Sequence, residues 1–343
     1  EDLAGGQWET SAQPRLWYDQ VTDRETEATV DFILHENTMG ISRELMRCED
    51  AAPLCFFLMC SPVKDHGPSA WHRDLHPIDQ APLTGLQGDL LDNGPGNIQW
   101  NVPLYDDDVL WVVPGSHCRT NTVAENQQLE KDRSVPLPDS TPVVLEAGDA
   151  VAYTNTILHW GSNYSAKLRR TIHFGHRAFG GDMYPYVPHY YWDPALLQRV
   201  SPQAQIHLRH FLQLQEREIN TVVSLFQALV NRDVSQFHKA LAILHPGEKH
   251  RLVCLIQLSK LSYLLRFRPN DYGFDLQQAH LVDERLSDGE IELLWDRFAP
   301  LDQKLRTEKD QFTAGFQSRP MKYHFEAMPE NFDIDEFVAT WAV

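Results

Sequence analysis

The sequence predicts an α+β protein: an antiparallel barrel or jelly roll in its first half, joined to a helical second half. Three observations carry this reading. Before residue 180, short β-rich runs alternate with Gly, Pro, Asp and Asn clusters. After residue 190, apolar residues recur at three- and four-residue intervals. The 343 residues, 42% hydrophobic and 23% charged, suit one large or two modest domains with a real core.

Taken in order, residues 20–47 have helical spacing and are expected to cover one face of the sheet. Strands are expected at Leu54–Met59, Ile98–Leu104, Val109–Val113, Val143–Leu145, Ala150–Thr154 and Arg169–Gly175. The intervening turns are marked by Asp92-Asn93-Gly94-Pro95-Gly96, Pro114-Gly115-Ser116 and Ala147-Gly148-Asp149. The aromatic stretch Tyr184–Trp192 ends the β region, either as a lid over the barrel mouth or as an apolar seam toward the helices. Helices then follow at Ala204–Leu214, Glu216–Asn231, Ser235–Leu244, Lys249–Phe267 and Asp288–Phe298. The expected division is residues 1–185 for the β domain and 186–343 for a mainly helical extension, in which no catalytic motif is visible.

Charge narrows the partners. With 30 Lys+Arg against 48 Asp+Glu the net charge is −18, which repels phosphate backbones and anionic lipids. Nucleic-acid and membrane-surface binding are therefore disfavoured, and a neutral or cationic small molecule is the expected substrate. Residues 1–180 hold 13 basic and 26 acidic side chains, so the first half dominates the field. The longest apolar run, Ala51–Cys60, is half a bilayer span and contains Pro53. No basic-then-apolar leader opens the sequence, and the absence of an initial Met is compatible with a trimmed N-terminus. Five cysteines without a C-x-x-C pair read as reduced thiols in a cytoplasmic protein.

The chemistry gathers around Trp71-His72-Arg73-Asp74. A His followed two residues later by Asp or Glu occurs twice, no oftener than random order would give, so context must decide. His324-Phe325-Glu326 has no strand context and reads as a surface pair. His72 and Asp74 follow an apolar strand and a Gly-Pro turn; in extended backbone they share a face and supply two ligands of a facial triad. His159, just beyond the Ala147–Thr154 turn and strand, is the best third ligand. Arg169 and Arg170 place one guanidinium on each face of the next strand, and the inward one is suited to holding a carboxylate bidentately.

This arrangement resembles the phytanoyl-CoA dioxygenase family of iron(II)- and 2-oxoglutarate-dependent oxygenases. Its carriers are Trp71-His72-Arg73-Asp74, Pro114-Gly115-Ser116-His117, Glu146-Ala147-Gly148-Asp149, His159 with Gly161-Ser162-Asn163, and Arg169, in order across roughly residues 30–178. The resemblance implies a double-stranded β-helix of the jelly-roll or cupin-like kind, with iron on His72, Asp74 and His159. It implies that Arg169 binds the far carboxylate of 2-oxoglutarate, and that Lys64 lies near this cosubstrate. It implies Fe(II), 2-oxoglutarate and O2 as cofactors, with succinate and CO2 released as a substrate is hydroxylated. Asp74 favours hydroxylation over halogenation, which needs that ligand position vacant. The segment Tyr105–Trp111 is shorter than the loop relatives place there.

Gln99 and Asn101 alternate with Ile98, Trp100 and Val102, so their polar face is expected to line the same pocket. Ser162 is as apt to cap its turn as to touch 2-oxoglutarate. His117 belongs to a turn; His76 and His173 read as hydrogen-bonded structural histidines, with substrate contact the alternative. Asp106-Asp107-Asp108 reads as a solvated turn. Two further functions compete with a small-molecule hydroxylase: a non-catalytic metal- or ligand-binding protein, and a protein hydroxylase that docks its target on the helical half. That half is equally a candidate dimer interface.

Overall fold

The computed structural model describes residues 7–17, 22, 26–75, 80–165, 167–179, 194–267, 280–311, 313–316 and 321–342. His76 and the Tyr184–Trp192 stretch lie outside the described residues.

Two antiparallel sheets make up the first half. The larger runs β1 (Arg15–Trp17), β2 (Ala52–Cys60), β8 (Arg170–Arg177), β3 (Asn97–Pro103), β6 (Val151–Tyr153) in spatial order. The smaller runs β5 (Thr141–Pro142), β4 (Leu110–Val112), β7 (His159–Gly161). In the larger sheet Phe57 of β2 lies opposite His173 of β8, and His173 lies opposite Asn101 of β3. Because side chains alternate, this row turns to one face while Ile98, Trp100, Val102 and Phe174 turn to the other.

That second face is apolar and covered. Trp100 stacks on Phe174 with centroids 5.9 Å apart, and both join a buried cluster with Val30, Ile33, Met46, Leu208 and Phe211. The covering elements are α1 (Ala28–Ile33), α2 (Ile41–Met46) and the first turns of a long helix described below. The expected single helix over 20–47 is instead interrupted by a π-turn at Glu36–Gly40. Thr38 explains the break: its hydroxyl lies within hydrogen-bond reach of the carbonyls of Phe32, Ile33 and His35, competing with regular helix bonds. The expected strand Val143–Leu145 pairs only in fragments, at Thr141–Pro142 and through a bridge from Leu145 to Asp107.

Two helices that the periodicity did not mark, α3 (Leu83–Asn93) and α4 (Val123–Lys131), lie between strands. Thr122 and Glu125 form a capping box at the start of α4. The second half contains α5 (Pro202–Asn231), α6 (Val234–Leu244), α7 (Arg251–Phe267), α8 (Asp288–Leu305) and α9 (Ile334–Ala339), with an antiparallel hairpin of β9 (Arg306–Gln311) and β10 (Met321–Tyr323). The two helices expected over 204–231 are one, since no Gly or Pro falls between them.

Helix α5 serves two cores. Its early residues Ala204, Leu208 and Phe211 pack on the larger sheet, and Ile219, Val222, Leu225 and Phe226 pack among the later helices. Leu75, Ala81, Leu83 and Leu86 from the first half join that second cluster. The chain then returns to the β region. Arg73 N donates to Gly315 O at 2.7 Å, and Asn121 Nδ2 donates to Ala314 O at 2.9 Å. No described helix is long and apolar enough to cross a membrane.

Candidate metal centre

His72 and His159 are joined through their backbones, each N–H donating to the other's carbonyl at 2.9 Å. This bridge attaches the His72 segment to the edge of β7. Asp74 N donates to Asn155 O at 2.9 Å, so the carboxylate is held two residues further along the same segment. The three side chains converge: His72 Nε2 lies 3.4 Å from Asp74 Oδ1, and His159 Nε2 lies 3.4 Å from Asp74 Oδ2. All three ligand atoms lie within 4.8 Å of one another. Ligands at right angles around an ion, each at about 2.1 Å, would stand about 3 Å apart.

Both imidazoles are preset. Nδ1 of His72 lies 2.7 Å from Ala70 O, and Nδ1 of His159 lies 3.0 Å from Ile157 O. Donation of Nδ1–H to these carbonyls leaves each Nε2 lone pair facing the common point. Gln99 Nε2 donates to Asp74 Oδ2 at 2.9 Å and orients the carboxylate. Burial pushes the Asp74 carboxyl up, but the charge and hydrogen bonds of His159 and His72 outweigh it and hold it well below the usual range. Burial likewise pushes His159 down, and Asp74 reverses that.

Between His72 and Asp74, Arg73 points the opposite way and is fully buried. Its guanidinium donates to Ser116 O at 2.7 Å, to Thr156 O, to Asn121 Oδ1 at 2.8 Å and to Arg119 O at 3.3 Å. Burial lowers it to about 10, which leaves it cationic at neutral pH. Arg73 thereby ties three loops behind the His72–Asp74 segment.

The convergent atoms open into a cavity of about 230 Å³ between the sheets, whose wall includes Asn101, Tyr153, His173 and Arg169. Arg169 is 4% exposed; its Nε donates to Asp107 Oδ2 at 2.7 Å, while its Nη1 has no hydrogen-bond partner among the described residues. A buried guanidinium N–H left unpaired costs free energy, and a carboxylate in the cavity would satisfy it. Arg170 faces away, packing over the Trp8 ring at 5.3 Å.

Six of the residues singled out in the sequence thus meet at the cavity: His72, Asp74, His159, Arg169, Asn101 and His173. Gln99 reaches the centre through Asp74. Lys64 is exposed in the loop after β2, and neither it nor Ser162 lines the cavity; Ser162 is held by its backbone N–H on Val109 O at 2.9 Å. His117 stays in its turn at Ser116–Cys118.

Asp107 corrects the solvated-turn reading. It is 6% exposed and binds Arg169 and Thr171, while its Oδ1 accepts from Val109 N at 2.9 Å. The i to i+2 bond at the start of a strand is the one local signal that could have separated it from Asp106 and Asp108. Tyr153, Phe57 and Arg15 also line the cavity without having been marked; as ordinary strand residues they carry no local signature.

The family model described as phytanoyl-CoA dioxygenase (PhyH) matches residues 1–171. This half of the chain belongs to the phytanoyl-CoA dioxygenase family. His72, Asp74, His159 and Arg169 all fall inside the family match, and the helices after residue 194 fall outside it. No curated protein matches the sequence significantly.

Among solved structures, the chain is similar to the non-heme alpha ketoglutarate dependent epimerase SnoN from nogalamycin biosynthesis. That match has 15% identity and a TM-score of 0.35, and covers 49% of this chain and 61% of SnoN. HygX from Streptomyces hygroscopicus, solved with nickel and 2-oxoglutarate bound, matches at 14% identity and TM-score 0.36, covering 49% of this chain and 70% of its own. EctD from S. alaskensis, solved with 2-oxoglutarate and 5-hydroxyectoine, matches at 12% identity and TM-score 0.37, covering 57% and 63%.

Proposed function

We propose that this protein is an Fe(II)- and 2-oxoglutarate-dependent dioxygenase that hydroxylates a small organic molecule and releases succinate and CO2. One observation carries the reading: a two-His, one-carboxylate set faces the same cavity as a buried guanidinium whose Nη1 has no partner among the described residues. The set suits a non-heme iron with open positions, and the guanidinium suits the far end of a dicarboxylate. When bound, iron and 2-oxoglutarate supply the activation of O2 and the oxidising equivalents for hydroxylation.

The chain's own residues do the remaining work. His72, Asp74 and His159 hold the metal on one face, and Gln99 keeps the carboxylate turned toward it. Arg169, fixed by Asp107, fixes the cosubstrate's orientation. Phe57 and Met59 present an apolar wall that excludes water from the reacting end. In this reading the two facing sheets form the double-stranded β-helix, residues 1–185 carry the reaction, and residues 186–343 brace the ligand segment from behind. The acidic surface favours a neutral or cationic substrate. Cys48, Cys60, Cys118 and Cys254 form no disulfide among the described residues, which suits the reducing cytoplasm.

The test is anaerobic. Fe(II) and then 2-oxoglutarate are added to metal-free protein while the visible spectrum is recorded, with Asp74→Ala and Arg169→Ala alongside. A charge-transfer band in the wild type, weakened or lost in both variants, is expected. Failure of the wild-type protein to bind iron and 2-oxoglutarate would overturn the reading.

A further inference from the structure

The metal ligands and Arg169 lie at different heights on the cavity wall. Gln99, which holds Asp74, is opposite Gly175 on β8; Asn101 is opposite His173; Arg169 lies two residues beyond Thr171, which is opposite Pro103. A dicarboxylate running from the metal to Arg169 therefore passes the Asn101–His173 pair. His173 Nδ1 lies 2.6 Å from Asn101 Oδ1, and both residues line the cavity beside Tyr153. His173 Nε2 has no partner among the described residues, and the ring is held against Phe57 with centroids 4.9 Å apart.

An asparagine amide can present either oxygen or NH2 to a ligand, and its neighbours decide which. A neutral imidazole donating Nδ1–H requires the Asn101 oxygen on the His173 side, which leaves the NH2 on the other side of the amide. Burial, together with the nearby Arg15 cation, pushes His173 down to about 3, so the ring is neutral near pH 7; Asp74, which favours the proton, and Arg169 and His159, which oppose it, are the other charges acting on it. Building on the oxygenase reading, we propose that His173 is a positioning residue that locks the Asn101 amide as a hydrogen-bond donor to metal-bound 2-oxoglutarate.

The probes are Fe(II) and 2-oxoglutarate, titrated anaerobically into the full chain. His173→Phe is expected to raise the 2-oxoglutarate dissociation constant about tenfold, the scale of one hydrogen bond to a charged group. The charge-transfer maximum should shift and Fe(II) affinity should be unchanged. His173→Gln, which can still donate to Asn101, is expected to recover most of the loss. In an Asn101→Leu background His173→Phe should have no further effect, because the two act as one unit. His173→Leu replaces His173→Phe if the larger ring prevents folding. Unchanged 2-oxoglutarate affinity and band position in folded variants would overturn the proposal, as would additive losses. A wild-type protein without the band overturns the oxygenase reading itself, so the two failures are distinguishable.

Discussion

Asp107 holds Arg169 at 2.7 Å through Nε, leaving Nη1 without a partner among the described residues. Thr171 donates its hydroxyl to the same carboxylate oxygen at 2.9 Å. A cation so buried is retained only because this carboxylate compensates it. Asp107→Ala should therefore cost about 3–5 kcal/mol of stability, the penalty for stranding a buried charge. Asp107→Asn, which keeps the shape but not the charge, should fold and bind 2-oxoglutarate about tenfold more weakly. Thermal unfolding and the anaerobic titration measure the two effects; wild-type values in both variants would show that Arg169 does not depend on Asp107.

Gln99 gives a prediction for the metal alone. Removing a hydrogen bond that orients a ligand typically lowers metal affinity about 10–100-fold. Gln99→Leu should do so in an Fe(II) titration without 2-oxoglutarate, whereas His159→Ala should abolish stoichiometric binding. Equal affinity of Gln99→Leu and wild type would remove Gln99 from the centre.

Arg73 separates support from ligation. Arg73→Met keeps an apolar stem but leaves Thr156 O and Asn121 Oδ1 without their donor, while Ser116 O and Arg119 O keep Gln87 Nε2. Each buried acceptor left unsatisfied costs on the order of 1–3 kcal/mol, so with two of them a loss of at least ~2 kcal/mol is expected. The variant should lose metal affinity in step with stability. Denaturant unfolding with and without Fe(II) checks this, and a stable variant with weak metal binding would contradict it.

Stability should fall on mild acidification. His176 is buried between Ser42 Oγ at 2.7 Å and Ile33 O at 2.9 Å, and burial pushes it down to about 4. His173 is pushed down to about 3. An unfolded histidine titrates near 6.5, so the unfolded chain takes up protons that the folded one refuses. The contribution of both residues is complete above about pH 6.5 and is lost as pH falls toward 4 and then 3. Chemical unfolding from pH 8 to pH 4.5 should show the decline, and His176→Phe, less stable at pH 8, should show a shallower one. A flat profile would contradict the assignment.

The strand pattern was legible wherever one face was apolar. In β3 the alternation of Ile98, Trp100 and Val102 with Gln99 and Asn101 marked both the helix-covered face and the polar one. His72 and Asp74 were legible because two-residue spacing in extended backbone fixes a shared face. The π-turn at Glu36–Gly40 was hidden because helical spacing continues through it, and only the Thr38 hydroxyl shows why the regular bonds give way. Lys64 had no local signature: the family resemblance alone placed it near the cosubstrate, and it is exposed in the loop after β2.

What the sequence determined by itself was local and periodic: short strands, long amphipathic helices, and a His-x-Asp pair with its most plausible third ligand. Tertiary structure alone decided which of three consecutive aspartates would be buried, because that depended on Arg169 arriving 62 residues later. It also decided that Gly315 and Ala314 would return to the backbone of Arg73 and the side chain of Asn121. Burial of a charged or polar group is stable only when its partner is present, and no periodicity along the chain encodes a partner that far away.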